Sequence, residues 1–176
     1  MNKRFSLGVL LLSVSIMQLS CFSVPHLFWP QKDIQPNEFH EPSLGKKVLV
    51  ASRSSEFKDA VVERIKAAFK DEPVYLKFIG LESLEQEDET KYSAVVLINT
   101  CMSWDMDRNV KAFLKRHQEQ SHIIIVLTTS GSGGWLPKMK EHNFDAISSA
   151  SQEDKVDVVA DKIITKVRLL LQGESK

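Results

Sequence analysis

Between Lys46 and Gln172 the chain alternates short apolar runs with longer stretches in which apolar residues recur every three or four positions. Lys47 to Ala51 is a β-branched run that predicts a first strand. Phe57, Val61, Ile65 and Ala68 then fall on one face of a helix over Glu56 to Phe69, with charges opposite. Val74 to Ile79 predicts a second strand and Ala94 to Ile98 a third, separated by an acidic loop from Glu82 to Glu89 that reads as a solvated connection. Met106, Val110, Phe113 and Leu114 mark a second amphipathic helix ending near His117, and Ile123 to Leu127 a fourth strand. The glycine-rich stretch TTSGSGG leads into a short helix near Pro137 to Glu141. Phe144 to Ser148 is a short fifth strand, and Val156, Val159, Ile163, Val167 and Leu170 line the last helix.

Strands separated by helical stretches imply right-handed crossovers and a parallel sheet covered on both faces. The first, third and fourth strands are continuous apolar runs, as burial on both faces requires. The second carries Lys77 and the fifth ends in Ser148 and Ser149, which suits sheet edges. The expected fold is therefore a three-layer α/β sandwich around a five-stranded parallel sheet of order 2-1-3-4-5. Its switch point lies between strands one and three, so a ligand belongs at their carboxyl ends, beside SRSSEF and NTCMSW.

The first 45 residues follow neither period. Lys3 and Arg4 precede an apolar run from Phe5 to Met17 that is shorter than the roughly 20 residues a bilayer-spanning helix needs. With Ser20 before Cys21, residues 1–20 are expected to be a lipoprotein-type signal peptide and Cys21 the lipidated start of a membrane-anchored mature chain outside the cytoplasm; the alternative is ordinary signal cleavage nearby, which leaves the chain secreted or periplasmic. Pro25, Pro30, Pro36 and Pro42 make residues 21–45 an expected extended tether, leaving 46–172 as the folded domain.

Charge and composition narrow the classes of function. Lysine plus arginine equals aspartate plus glutamate at 23 each, so no net field draws the chain to nucleic acid. Only Cys21 and Cys101 are present, too few for a disulfide framework. The histidines show no metal-ligand spacing, and no nucleophile lies in the G-x-S-x-G context of a hydrolase.

On SRSSEF, NTCMSWDM and TTSGSGGW, each following an apolar strand, the chain resembles the flavodoxin-like family over nearly the whole of 46–172. The resemblance implies a flavodoxin-like fold holding non-covalent FMN at these three loops and transferring electrons through it. It places Ser52, Arg53, Ser54 and Ser55 at the phosphate and Thr100, Cys101, Met102, Ser103 and Trp104 along one side of the flavin ring. Thr129, Ser130, Gly131 and Trp135 fall on the other side. The two tryptophans would stack on the ring. Cys101 reads either as a redox thiol near the flavin or as a small buried residue. Against the family's Ser/Thr-x-Thr-Gly-x-Thr loop, Ser55 replaces the glycine, Glu56 adds a carboxylate at the helix start and Phe57 replaces a hydroxyl. Two functions follow. One is a membrane-tethered FMN protein with a redox protein partner and no nucleic acid; the other is an FMN-free lipoprotein that uses the same crevice, or its surface, to bind a protein.

Overall fold

The computed structural model of the chain describes residues 31–137 and 143–173. The expected signal peptide, Cys21 and most of the short helix expected at Pro137 to Glu141 lie outside the described residues. The elements are β1 (Asn37–Phe39), β2 (Lys47–Ser52), α1 (Glu56–Ala68), β3 (Tyr75–Gly80), β4 (Ala94–Thr100), α2 (Arg108–Arg116), β5 (Ile124–Thr129), β6 (Asp145–Ser149) and α3 (Val156–Leu171).

The sheet is six-stranded, in the order β1-β3-β2-β4-β5-β6, rather than five-stranded in the order 2-1-3-4-5. β3, β2, β4, β5 and β6 are parallel neighbours, with Val50 opposite Phe78 and Val96, and Leu127 opposite Ile98 and Ile147. The additional strand is β1, which pairs antiparallel with β3 in the register Asn37 to Phe78 and Phe39 to Leu76. It comes from the proline-rich segment expected to be a tether. Pro36 and Pro42 flank the strand rather than interrupt it, and an outermost strand tolerates proline at its ends. The three-residue β1 therefore covers the edge that β3 was expected to present.

Two separate cores flank the sheet because successive side chains of each strand point to opposite faces. Val48, Val50, Leu76, Val96, Ile98 and Leu127 pack under α1 and α3. Leu49, Ala51, Val95, Leu97 and Val126 pack under α2 and the 3-10 turn Leu81–Gln86. The central strands β2, β4 and β5 are almost continuously buried, which is why their sequences carry no polar alternation.

The acidic connection after β3 is only partly solvated. Leu81 and Leu84 are buried beneath it, Glu87 takes hydrogen bonds from Lys77 Nζ and Tyr92 Oη at 2.7 Å each, and Glu89 is buried against His117 at the end of α2. Donors from Lys77, Tyr92 and the His117 ring allow these carboxylates to leave water.

Candidate functional site

The switch point falls at the carboxyl ends of β2, β4 and β5, and the β2–α1 loop forms its first wall. Ser52 is fully buried, and its Oγ donates to the Arg53 carbonyl at 2.7 Å. The Arg53 amide bonds Ile98 O at 3.2 Å, turning the guanidinium inward. There Nε donates to Asp107 Oδ2 at 2.9 Å, while one terminal nitrogen donates to Asp33 Oδ1 at 2.7 Å and Glu82 Oε1 at 3.2 Å. Burial by itself lowers the pKa of Arg53; the hydrogen bond and charge of Asp107, with the charge of Asp33, reverse this and raise it above the ordinary value. Arg53 thus remains cationic inside the protein, already surrounded by carboxylates.

Ser54 is engaged in the same way. Its amide bonds Lys32 O at 2.7 Å and its Oγ donates to Asp59 Oδ2 at 2.8 Å. Ser55 caps α1, its Oγ accepting from the Lys58 amide at 3.4 Å, with an extended backbone at φ −165° and ψ 159°. Such a conformation suits any residue, so the missing glycine causes no strain at this position. Phe57 packs in the core under α1, which accounts for the absence of a hydroxyl.

The N-terminal segment locks this loop from outside. Asp33 holds Arg53 and also accepts the Glu82 amide at 2.9 Å. It lies so close to the end of β3 that a Cβ on Gly80 would sit 2.3 Å from its Oδ2. Only glycine leaves room there for the carboxylate.

The loop after β4 is built in the opposite manner. Asn99 anchors its base: Nδ2 donates to Leu127 O and Thr128 Oγ1 at 3.0 Å each, and Oδ1 accepts the Asp107 amide at 3.2 Å. Cys101 N bonds Thr129 O at 2.8 Å, tying β4 to β5. Met102 and Asp105 then exchange amide hydrogen bonds at 2.9 and 3.0 Å across a two-residue turn whose tip is Ser103 (φ 52°) and Trp104 (φ 63°). Positive φ at both central residues is the mirror-image hairpin turn that normally takes Asn-Gly, and for other residues it costs roughly 1–2 kcal/mol each. The strained tip carries Trp104 with 87% of its surface exposed. The Cys101 thiol is pushed up by burial, the Trp104 amide opposing only in part, so it is no activated thiolate at neutral pH.

The loop after β5 closes on β6. Thr129 Oγ1 donates to Asn99 O at 3.3 Å, Ser130 N bonds Ser149 O at 3.0 Å, and Gly133 donates to Ser130 Oγ at 3.1 Å. Gly133 has φ 69°, and a Cβ on it would meet Ala150 N at 2.6 Å, so this loop needs its glycine for both conformation and space. Gly131 is exposed. Trp135 is half-buried and packs against the core on the α2 face.

A crevice of about 520 Å³ opens between these walls. Of the residues expected to hold a cofactor, Ser55, Thr100 and Thr129 line it; Phe57 and Val156 supply apolar wall, and Glu56 and Glu153 stand exposed at the rim. Ser52, Arg53, Ser54, the Cys101–Trp104 turn, Ser130, Gly131 and Trp135 do not line it. The crevice also holds Lys58, only 4% exposed and without a hydrogen bond or ion pair from its ammonium among the described residues. Burial is the main cause that pushes its pKa down to about 8, with Arg53 adding to the effect and Asp59 and Asp107 opposing it.

Sequence reasoning missed Lys58, Asp33, Asn99 and Asp107. Asn99 had a visible signal, a lone amide inside an apolar strand. Asp33 and Asp107 had none, because their partner Arg53 lies 20 and 54 positions away. The volume of the crevice suits a small ligand. Lys58 and the first turn of α1 line it together with Ser55, Thr100 and Thr129 from the loops that the resemblance implied.

These features define an α/β flavodoxin-like fold with a mostly parallel sheet and a crevice at the flavodoxin-type switch point. Among solved structures, the chain is similar to a flavodoxin from the domain Archaea, with a TM-score of 0.53 and 14% identity, covering 70% of this chain and 98% of that one. It is also similar to the metal-soaked Flv1 flavodiiron core from Synechocystis sp. PCC6803, with a TM-score of 0.50, 9% identity and coverage of 75% and 38%. No protein-family model matches the chain, nor does any curated protein. At such identities the likeness is one of fold.

Proposed function

We propose that this chain is a flavodoxin-like FMN protein that passes electrons between a membrane donor and an extracytoplasmic redox partner, tethered through lipidated Cys21. The observation that carries this reading is the crevice itself, which lies where the strand order reverses and where parallel α/β sheets take their ligands. Bound FMN would supply one- and two-electron transfer. The chain's own residues would orient it: hydroxyls of Ser55, Thr100 and Thr129 in the crevice, and Trp104 on its exposed turn as a face for the ring.

A second reading has its own support. Arg53 and Ser54 are bound to Asp33, Asp107, Lys32 and Asp59, which favours an FMN-free binding module whose loop has become part of the core. Titration of FMN fluorescence separates the two. Quenching at micromolar protein, weakened by Trp104→Ala, is the result expected of the cofactor reading and removes the second. Unchanged fluorescence at that concentration removes the first. Fractionation of the full chain against Cys21→Ala tests the tether, with loss from the membrane pellet as the expected outcome.

A further inference from the structure

Residues 32–34 fasten the chain to one end of the sheet. Ser54 N donates to Lys32 O at 2.7 Å and Ile34 N to Ser52 O at 3.3 Å, while Asp33 holds Arg53 and the Glu82 amide. These partners lie at or just past the carboxyl ends of β2 and β3, and β1 then runs antiparallel to β3, away from that end. The chain therefore enters the domain at the crevice end of the sheet.

Cys21 precedes Lys32 by eleven positions, so a lipid on it lies within about 40 Å of extended chain from this fastening. A domain of ~140 residues is itself roughly 35–40 Å across. To bring the opposite end of the sheet to a bilayer, the linker would have to run back along the whole domain at full stretch, and fixing backbone in one conformation costs about 1–2 kcal/mol per residue. The entry end reaches the bilayer without that cost.

Exposed apolar side chains are distributed in the same sense. Among the described residues, the large exposed ones are Trp104, Leu136, Val158 and Leu169. Trp104 stands on the turn after β4, Leu136 follows Gly133, which packs against Ala150 just past β6, and Val158 lies in the first turn of α3, two positions from Val156 in the crevice wall. Leu169 instead lies near His122 and Asp145, at the amino ends of β5 and β6. Tryptophan concentrates in the interfacial layer of membranes, where its ring is apolar and its N–H stays hydrated. The exposed rim carboxylates Glu56 and Glu153 offer anionic headgroups no attraction, so the contact is apolar and suits a zwitterionic surface.

We propose that the crevice end of the domain is a membrane-docking face, with Trp104, Leu136 and Val158 turned to the zwitterionic surface of the bilayer that holds the Cys21 anchor. The inference rests on the lipidated Cys21 of the reading above, and not on FMN. A short linker keeps this face at high effective concentration over the lipid, so a modest apolar contact is enough. The crevice then opens towards the membrane donor.

The full chain, reconstituted in phosphatidylcholine vesicles with plain or brominated acyl chains, tests this, because bromine quenches indole on contact. Wild type should float with the vesicles and Cys21→Ala should not. The emission contributed by Trp104, taken as the difference between wild type and Trp104→Phe, should be lost in brominated vesicles. An indole placed at the opposite end, by Leu169→Trp in the Trp104→Phe background, should keep its emission. Both substitutions replace exposed side chains, and circular dichroism confirms the fold. Unquenched Trp104 emission, or equal quenching at position 169, overturns the docking face while the tether stands. Failure of wild type to float removes the tether, and this inference with it.

Discussion

At the β2–α1 loop, Ser52, Arg53, Ser54 and Ser55 all direct their side chains to partners within the protein, and the backbone is relaxed. After β4, by contrast, Ser103 and Trp104 hold left-handed backbone angles, and Trp104 projects into solvent. Both loops end central parallel strands and flank one switch point, so topology alone does not separate them. The first has been absorbed into the fold: its arginine joins Asp33 from the N-terminal segment to Asp107 at the start of α2. The second keeps strain that no packing explains, and persistent strain of this kind marks places where a side chain must be presented.

The contrast can be broken at three points. The largest effect belongs to Arg53→Met. With Arg53 and Asp107 only 9% and 6% exposed at their side chains, removing the cation leaves the buried Asp107 carboxylate without its counter-charge. Unfolding by urea should then show a loss of about 3–5 kcal/mol. A loss under about 1 kcal/mol would mean that the loop is not locked by this network.

Lys58→Met acts at the same end with the opposite sign. The folded pKa of about 8 lies below the ordinary 10.5, so charged Lys58 disfavours the folded state at neutral pH. The unfolded chain binds more protons between these two values, and wild-type stability therefore rises across that window relative to the variant. The variant should be more stable at pH 7 by on the order of 1–3 kcal/mol, with the gap closing as pH rises from about 8 towards 10.5. Stability curves for the two proteins at a series of pH values provide the check. A gap that stays constant with pH would contradict the burial of an unpaired ammonium.

The smallest stability effect belongs to Trp104→Ala. At 87% exposure the ring contributes little to folding, and urea midpoints should agree to within about 0.5 kcal/mol. FMN affinity should nevertheless fall by roughly 0.5–1.5 kcal/mol, the value of an aromatic stack. A matching loss of stability would instead make Trp104 a packing residue and remove the contrast between the loops.

Much of this architecture was legible in the chain. The periodicities located the β2 to β6 segments and the three α-helices among the described residues to within a few residues, because buried parallel strands and amphipathic helices impose patterns on their own stretches of sequence. β1 was not legible: its three residues, Asn37, Glu38 and Phe39, have no alternation to detect, and flanking prolines suggested an extended tether. The candidate site was legible in position but not in detail. SRSSEF correctly marked a strand-to-helix turn, yet nothing local revealed that Asp33 and Asp107 would take its arginine, or that Lys58 would be buried.

By itself, the sequence determined the layered α/β fold, the place of the crevice and the strand-loop-helix form of its first wall, since each follows from hydrophobic period and turn chemistry within short windows. Only the tertiary structure decided which polar groups face that crevice. Hydrogen bonds and ion pairs depend on distances of about 3 Å between residues far apart in the chain, and such distances exist only once the sheet has set the register.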